Sequence, residues 1–342
     1  MKAAPVVRAL TQRTGFNQLI VHTGQHYDPN MSAIFFEQLG IPLPNLNLEV
    51  GSGSHARQTA EVMSRLESIV MEWKPDLVLV YGDVNSTLAA ALVSSKLWVR
   101  IGHVEAGLRS FDRTMPEEIN RLLTDQIADL LFTPSADADE NLKREGIESS
   151  RIYRVGNVMI DSLVRLLPKA VKTAMDHFPD RYALVTLHRP ANVDDTQTLK
   201  NILESLVEVN AHLEVIFPVH PRTRRRIGEF GTHCFNLRLL EPLPYIEFLA
   251  LQRNATVVIT DSGGIQEETT YLGVPCLTVR ENTERPVTVT LGTNTIVGQD
   301  RDKLRQELRR ILKGDGKKGS VPPLWDGKAA ERIAESIAHL DN

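Results

Sequence analysis

Residues 261–268, with the sequence DSGGIQEE, hold the most informative chemistry in this chain, because they follow an apolar strand pattern and begin a helical one. Ser262, Gly263 and Gly264 therefore place free backbone N–H groups at the positive end of a helix, which suits a diphosphate. Glu268, further along, can accept hydrogen bonds from a ribose diol. A plain helix start, capped by its own Asp or Ser side chain, is the alternative. The spacing is neither a Gly-Lys-Ser/Thr loop nor Gly-x-Gly-x-x-Gly, which disfavours ATP hydrolysis and NAD binding.

Other reactive side chains follow apolar runs elsewhere in the chain. Asp83 in YGDVNST, Glu105 in HVEAGLRS and His188 in VTLHRP each come directly after a strand pattern. In an open α/β sheet, ligands bind beyond the carboxyl ends of the strands. Each residue alone could be a helix cap or a hydrogen-bonded loop residue, but carboxylates and an imidazole at several strand ends together predict a chemical site.

Two further segments place charged groups at helix starts. Residues 115–121, MPEEINR, begin a helix with Pro at its head, and their two glutamates either stabilise the helix dipole or serve a site. Arg121 lies four residues after Glu117 on the same helical face, so it can pair with that carboxylate. Arg285, in the TERP segment, would bind a phosphate through two N–H groups if it faced the helix terminus at Gly263.

The elements that must position these residues are short strands and helices in alternation. Eleven apolar, β-branched runs are separated by helical patterns, which predicts parallel sheets in a doubly wound α/β fold. Eleven strands exceed the five or six of a usual sheet. We therefore expect two Rossmann-like domains facing across a cleft, residues 1–166 and 167–325. A helix over residues 326–342 can pack back on the first domain.

The start of the chain departs from this scheme. Residues 5–10 form a helix pattern with no strand before it, whereas a doubly wound domain normally begins with a central strand and a phosphate-binding turn. We expect the sequence to be a truncated form, and a sheet that lacks one central strand is the alternative.

Composition excludes several classes of protein. The 342 residues include 39 Lys and Arg against 43 Asp and Glu, a net charge of −4, which disfavours nucleic-acid binding. Cys234 and Cys276 lie far apart, which disfavours a disulfide scaffold or thiolate zinc site and fits a reducing cytoplasm. No apolar run approaches the roughly 20 residues of a membrane helix, and there is no signal segment. We therefore expect a cytoplasmic enzyme.

Together the motifs resemble those of the non-hydrolysing UDP-N-acetylglucosamine 2-epimerases. The similar segments run in order through nearly the whole chain: TGQHYD (23–28), KPDLVLVYGD (74–83), GHVEAGLRS (102–110), MPEEINR (115–121), TDSGGIQEE (260–268) and TERP (283–286). The resemblance implies a GT-B architecture of two Rossmann-like domains. It also implies that neither NAD nor a metal ion is needed, and that the protein is a homodimer.

The resemblance assigns roles residue by residue. Four residues match catalytic positions of the family, namely Asp83, Glu105, Glu117 and His188. Eight match substrate-binding positions, namely Lys2, Arg121, Phe248, Ser262, Gly263, Gly264, Glu268 and Arg285. Of these, Phe248 matches a contact near the uracil, although by its spacing alone it fits the core.

Departures from the family pattern leave some properties open. The family's Gly-Thr/Ala-Arg-Pro loop is missing. Gln25 and His26 match part of a second, activating substrate site, but Glu61 stands where activated members have arginine. The TGQHYD and MPEEINR segments also resemble epimerases of UDP-diacetamido-uronic acids, so both sugars are alternatives for the substrate.

The activity that the resemblance implies is the interconversion of UDP-N-acetylglucosamine and UDP-N-acetylmannosamine, by elimination and re-addition of UDP through a glycal. Alternatives are a 2-epimerase of a related nucleotide sugar, a hydrolysing epimerase, a GT-B glycosyltransferase, and a truncated, inactive UDP-sugar-binding protein. Which carboxylate serves which face of the sugar stays open.

Overall fold

The computed structural model of the chain describes residues 1–24, 38–229 and 237–340. Gln25 and His26, which the resemblance links to a second substrate site, lie outside the described residues.

The chain divides into two compact units. Unit 1 comprises Met1–Arg165 together with Pro323–Asn342, and unit 2 comprises Leu166–Pro322. Cys234, in unit 2, is another residue outside the described ranges. Within those ranges, no helix is both long enough and apolar enough to cross a membrane.

Unit 1 contains a parallel sheet of four strands, in the order β3-β4-β5-β6, and a separate parallel pair, β1-β2. Its elements are α1 (Ala3–Thr11), β1 (Val21–His22), β2 (Leu46–Asn47), α2 (His55–Trp73), β3 (Leu77–Tyr81), α3 (Asn85–Lys96), β4 (Arg100–Val104), α4 (Pro116–Ile127), β5 (Leu130–Thr133), α5 (Ala136–Arg144), β6 (Ile152–Arg154) and α6 (Val158–Val171), which continues into unit 2. Strand β2, which the sequence pattern did not predict, is only two residues long and exposed.

Helices cover both faces of the four-stranded sheet, which explains why most residues of its central strands are apolar. Val104 and Phe132 face a cluster that includes α1 and the C-terminal helix. Ile101 and Leu131, which point the other way because side chains alternate along a strand, face a cluster that includes α3 and α5. A strand buried on both faces leaves solvent access only at its ends. Asp83 and Glu105 follow the carboxyl ends of β3 and β4.

Unit 2 contains a six-stranded parallel sheet in the order β12-β11-β10-β7-β8-β9. Its elements are β7 (Tyr182–Thr186), α7 (Pro190–Val193), α8 (Thr196–Asn210), β8 (Glu214–Pro218), α9 (Pro221–Glu229), β9 (Arg238–Leu240), α10 (Tyr245–Asn254), β10 (Val257–Thr260), α11 (Gly263–Leu272), β11 (Cys276–Thr278), α12 (Pro286–Thr290), β12 (Asn294–Ile296) and α13 (Arg301–Leu312). The predicted α/β fold class with parallel sheets is confirmed.

The strand order of unit 2 locates its ligand-binding edge. The first three strands run outward from β7 in one direction, and the last three run outward from β10 in the other. This reversal creates a crevice at the carboxyl ends of the two central strands, and ligands of doubly wound sheets bind in such crevices. His188 follows β7 and Asp261 follows β10, so both lie at this point.

The C-terminal segment of the chain packs in unit 1 as α14 (Ala329–Ala338). Its first backbone N–H groups, from Ala329 and Ala330, donate to the Asp161 carboxylate on α6 over 3.1 and 2.7 Å. The Trp325 indole N–H, just before the helix, donates to the Pro134 carbonyl over 2.9 Å. These bonds and the apolar face of α14 place the segment against the same sheet face as α1.

Candidate active site

The two predicted carboxylates of unit 1 lie on adjacent turns at the carboxyl edge of its sheet. The Gly82 N–H donates to the Val104 carbonyl over 3.0 Å, so Asp83 and Glu105 leave neighbouring strands side by side. Glu105 has a φ of 75° and a side chain that is only 2% exposed. A left-handed conformation in a residue other than glycine costs about 1–3 kcal/mol and is concentrated at functional sites.

Lys2 lies over the same edge. Its Nζ is 2.9 Å from Glu105 Oε1, which compensates the charge of that buried carboxylate. The φ of Gly82 is 69°, so this turn favours glycine for its conformation, and a Cβ there would displace the Lys2 ammonium, which would lie 2.5 Å away. The structure therefore brings Lys2 together with the turns that present Asp83 and Glu105.

Arg121 links α4 to the Asp83 turn. Its guanidinium forms an ion pair with the Asp83 carboxylate, and its Nη2 lies 2.5 Å from Glu118 Oε2. The partner on α4 is therefore Glu118 rather than Glu117, because Glu118 is the glutamate on the buried face of the helix. Glu117 is half-buried in the first turn of α4.

Glu118 has a structural arrangement that the sequence did not reveal. Its carboxylate accepts hydrogen bonds from the backbone N–H groups of Ser110 and Phe111, each over 2.9 Å. Burial alone would raise the pKa of Glu118, but the bonds from Ser110 and Arg121 outweigh it and hold that pKa below its usual range. Glu118 is therefore a buried carboxylate that orients Arg121 toward Asp83.

In unit 2, His188 is held by Asp261 across the point where the strand order reverses. The His188 backbone N–H lies 3.1 Å from both Asp261 oxygens, and His188 Nδ1 lies 2.9 Å from Oδ1. The imidazole is 60% exposed while the carboxylate is fully buried. Burial raises the pKa of Asp261, but its bonds to His188 and Asn192 outweigh this and lower it. The ionised Asp261 carboxylate thus holds the Nδ1 side of the His188 ring, and the opposite side of the ring faces solvent.

The turn of Ser262, Gly263 and Gly264 begins α11 without a side-chain cap. Ser262 is the N-cap residue, yet its side chain accepts no hydrogen bond from the helix. Asp261 does not cap this helix either, because its oxygens bind the segment after β7. The Ser262 N–H donates to the Thr260 hydroxyl over 3.0 Å, whereas among the described residues no side chain caps the N–H groups of Gly263 and Gly264. The alternative of a plain capped helix start is therefore not what forms.

Arg285 lies directly beneath this turn and is buried, with 6% of its side chain exposed. Its Nε is 2.8 Å from Glu267 Oε1, and its Nη1 is 2.5 Å from Glu284 Oε1. A Cβ at Gly263 would lie 2.3 Å from the same Nη1. Arg285 is thus packed against the turn and paired with carboxylates, whereas the sequence suggested a guanidinium open to a phosphate.

The Glu284 carboxylate forms ion pairs with three arginines at this edge. Besides Arg285, its carboxylate contacts Arg280 at 2.7 Å and Arg189 at 3.4 Å. Burial would raise the pKa of Glu284, but these positive charges lower it far more. Sequence reasoning missed Glu284 and Arg280, although their spacing of four residues was a usable signal.

Glu268 and Phe248 lie on neighbouring helices of unit 2. The Tyr245 hydroxyl donates to Glu268 Oε1 over 2.7 Å. Burial raises the pKa of Glu268 to about 7, partly offset by this bond. Phe248 is half-buried and packs against a core cluster with Ile265 of α11, so it is neither a fully buried core residue nor a free one.

The sequence pattern of the UDP-N-acetylglucosamine 2-epimerases matches residues 8–338. The chain belongs to this family. It is similar to the UDP-N-acetylglucosamine 2-epimerase of Methanocaldococcus jannaschii, with 44% identity over 99% of this chain and 96% of that protein. A crystal structure of the M. jannaschii epimerase in complex with UDP-GlcNAc and UDP matches with a TM-score of 0.92, over 99% of this chain and 96% of the other. The resemblance inferred from the motifs is thus confirmed.

A second similarity within the 2-epimerase family involves a different sugar. The UDP-2,3-diacetamido-2,3-dideoxy-D-glucuronate 2-epimerase of Pseudomonas aeruginosa is 43% identical over 99% of this chain and 96% of that protein. The two relatives are almost equally similar to this epimerase-family chain, so identity alone does not choose between their sugars.

Proposed function

We propose that this protein epimerises UDP-N-acetylglucosamine at carbon 2 to UDP-N-acetylmannosamine. The chain belongs to the 2-epimerase family. The observation that supports the proposal most is that, in this member, the acidic residues Asp83 and Glu105 lie on two turns at the ligand-binding edge of a parallel sheet. Both turns have charged partners that hold their carboxylates in place, Arg121 for Asp83 and Lys2 for Glu105.

The reaction must remove a hydrogen from carbon 2 that no adjacent carbonyl acidifies. We infer that the bond between the anomeric carbon and the diphosphate oxygen breaks first, its electron pair leaving with UDP. The oxocarbenium-like sugar then loses the carbon 2 proton to a carboxylate, and its C–H electrons form the double bond of a glycal. A proton returned to the opposite face, and UDP returned to carbon 1, complete the epimerisation.

Unit 2 is assigned to the UDP. The turn from Ser262 to Gly264, in which the Gly263 and Gly264 N–H groups have no side-chain cap, suits the diphosphate and stabilises the negative charge that develops as it leaves. Glu268 is assigned to the ribose diol and Phe248 to the uracil side. His188, whose Nδ1 is held by the Asp261 carboxylate, is assigned to the leaving phosphate, and Arg285 supports the turn from beneath.

Unit 1 is assigned to the sugar. Asp83, Glu105 and Glu117 provide carboxylates for proton transfer and for offsetting positive charge at the anomeric carbon. Lys2 neutralises Glu105 and Arg121 neutralises Asp83, so the negative charge of these carboxylates does not oppose binding of an anionic substrate.

The proposal is tested by incubating the protein with UDP-N-acetylglucosamine in the presence of EDTA and without NAD, and following the anomeric protons by NMR. We expect UDP-N-acetylmannosamine to appear until equilibrium is reached. Release of free N-acetylmannosamine and UDP would favour a hydrolysing epimerase instead. No change in the sugar, with UDP still bound in calorimetry, would favour a nucleotide-sugar-binding protein.

A second substrate, a UDP-diacetamido-uronic acid, is favoured by the 43% identity to the P. aeruginosa 2-epimerase of that sugar class. The two sugars differ in charge, since the uronic acid adds a carboxylate. Parallel assays with both nucleotides decide between them, because kcat/KM measures discrimination directly. A higher kcat/KM for the UDP-diacetamido-uronic acid would show that this nucleotide, rather than UDP-N-acetylglucosamine, is the substrate.

We also propose that the protein acts as a homodimer in the cytoplasm. The dimer follows from the resemblance to the family, and the location follows from the wide sequence separation of the two cysteines, which fits a reducing compartment. Sedimentation velocity tests the dimer, and fractionation of the source cells tests the location.

A further inference from the structure

His103 is a fully buried histidine next to the proposed catalytic carboxylates, and nothing in the assignments above uses it. It lies on β4, two residues before Glu105, and has no exposed surface. Its Nδ1 is 2.6 Å from Asp125 Oδ1, and its Nε2 is 2.8 Å from the Gly82 carbonyl oxygen.

Both contacts of the ring are with hydrogen-bond acceptors. A backbone carbonyl and a carboxylate both accept, so each ring nitrogen needs a proton to form its hydrogen bond. Asp125 also accepts from Arg109 Nη1 at 2.7 Å and from the Gly107 N–H at 3.1 Å, which favours its ionised form. In either tautomer a neutral ring would place the lone pair of one nitrogen against the Asp125 carboxylate or the Gly82 carbonyl, whereas an imidazolium donates through both nitrogens.

The charges around this group balance. His103 and Arg109 provide two positive charges, and Asp125 and Glu145 provide two negative ones, with Arg109 Nε 2.8 Å from Glu145 Oε1. Burial alone would raise the pKa of Asp125, but the charges and hydrogen bonds of His103 and Arg109 outweigh it and lower that pKa. A buried ion pair persists only when its members are paired and hydrogen-bonded in this way.

Other charged groups near the Gly82 turn are already matched. Lys2, at the start of α1, pairs with Glu105, and Arg121 of α4 pairs with Asp83 and with Glu118. None of these competes with His103 for Asp125.

The contacts of this ion pair lie on the two turns that present the carboxylates. His103 bonds to Gly82, whose φ is 69° and which directly precedes Asp83. Asp125 bonds to Gly107, whose φ is 79° and which lies two residues after Glu105. The single imidazolium–carboxylate pair thus fixes one end of each turn.

We propose that His103 and Asp125 are positioning residues for the epimerisation, a buried ion pair that holds Asp83 and Glu105 in their catalytic arrangement. The assignment of catalysis to those turns rests on the proposed function, whereas the charged state of His103 does not. Misplacing a catalytic group by about 1 Å can cost about 10²-fold in rate. Substitution of His103 should therefore lower kcat and leave UDP binding, assigned to unit 2, unchanged.

The test has a spectroscopic arm and a kinetic arm. Protein labelled with ¹⁵N-histidine is examined by NMR at pH 7, and we expect both ring nitrogens of His103 to carry protons. The Asp125→Asn variant should lose that signature because its side chain no longer bears the negative charge. The signal of a neutral His103 ring in the folded wild-type protein at that pH would overturn the proposal.

In the kinetic arm, H103Q is expected to lower kcat about 10²-fold while the Kd for UDP changes less than about twofold. The matched control is H212Q, because His212 is exposed in unit 2, and its kcat should equal the wild-type value. Wild-type kcat in a folded H103Q would overturn the proposal. If H103Q does not fold, D125N serves the same comparison, and the NMR measurement needs no variant. A charged His103 in a wild-type protein without epimerase activity would overturn the proposed function alone.

Discussion

Asp261 binds His188 at both ends of the residue, accepting from its backbone N–H at 3.1 Å and from its ring Nδ1 at 2.9 Å. This double contact joins the ends of β7 and β10 at the point where the strand order of unit 2 reverses. It fixes the imidazole with Nε2 facing away from the carboxylate.

Asp261→Asn should therefore weaken catalysis more than binding. The amide retains the volume but removes the negative charge that orients His188, so we expect kcat to fall about 10²-fold. Steady-state kinetics at pH 7 check this. The matched control, Asp302→Asn, changes a side chain that is 90% exposed on α13, and its kcat should not change. Equal kcat in D261N and the wild-type protein would contradict the role given to the His188–Asp261 pair.

Binding of UDP should release a proton from Glu268. Burial raises the pKa of this carboxyl to about 7, so near neutral pH a large fraction is protonated in the free protein. Hydroxyl donors of a ribose diol favour the ionised form and lower that pKa, which expels the proton. Titration calorimetry in two buffers of different ionisation enthalpy measures the number released.

The Glu268→Gln variant provides the baseline, since it cannot titrate while the phosphate of UDP still can. The difference in proton release between wild-type and variant should be large at pH 7, reach its maximum below pH 7, between the pKa values of the free and the UDP-bound carboxyl, and vanish near pH 9, where the carboxylate is already ionised. Equal release by the two proteins at pH 7 would remove Glu268 from the ribose site.

Gly263→Ala should damage both stability and UDP binding. The added Cβ would lie 2.3 Å from Arg285 Nη1 and 2.8 Å from Glu284 Oε1, both in a buried ion-pair network that has no room to move. Such overpacking costs about 1–3 kcal/mol of unfolding free energy. Displacement of the turn should also weaken UDP binding. We expect the Kd for UDP, measured by calorimetry, to rise about tenfold or more.

Gly228→Ala is the control for this substitution. Gly228 lies in α9, and among the described residues no atom outside its own helical turn would come within 4 Å of an added methyl group. Alanine there should therefore leave stability unchanged or raise it slightly. Equal unfolding free energies for G263A and G228A would show that Gly263 is not confined by Arg285.

Glu284→Gln should destabilise the fold strongly at neutral pH. The substitution leaves three buried or half-buried arginines, Arg189, Arg280 and Arg285, short of one negative charge. Removing one partner of a buried ion pair costs about 3–5 kcal/mol. Chemical denaturation measures the loss, with Glu140→Gln as the control, since Glu140 is 55% exposed in a surface pair with Lys143.

The pH dependence of this effect has a definite sign. The pKa of Glu284 is lowered in the folded state, so its contribution to stability is complete above its ordinary pKa and is lost only as pH falls through the folded value. The difference in unfolding free energy between wild-type and E284Q should therefore be constant from pH 6 to pH 8 and shrink in strong acid. A difference that grew on acidification would contradict the pairing.

Much of the fold could be predicted because strands buried on both faces appear in the sequence as short apolar runs. The runs at Leu77–Tyr81 and Val257–Thr260 are strands of the two sheets, and the reactive residues that follow them lie at the sheet edges. The strand order of unit 2 could not be read from sequence in the same way, because it depends on which strands pair.

The buried polar contacts were harder to predict. Glu117 and Glu118 are adjacent in the sequence, and only the rotation of α4 decides which one faces Arg121. A signal was present, since Glu118, Arg121 and Asp125 follow the spacing of a helix face that is normally apolar. Charged residues at those positions indicate a buried ion-pair network rather than a solvated surface.

Arg285 illustrates a different difficulty. Its position after a strand favoured a ligand contact, but its three-dimensional neighbours Glu267 and Glu284 determine that the guanidinium is buried and paired. Side-chain pairing of this kind depends on the packing of α11 against the TERP segment, which sequence spacing does not give.

The most direct measurement of the central claim is the hydrogen isotope at carbon 2 after turnover in heavy water. If UDP leaves first and a carboxylate then removes the carbon 2 proton, both UDP-N-acetylglucosamine and UDP-N-acetylmannosamine should acquire deuterium at that carbon at equilibrium. The Asp83→Asn and Glu105→Gln variants should slow this exchange together with turnover. Epimerisation by the wild-type protein without deuterium at carbon 2 would contradict the account.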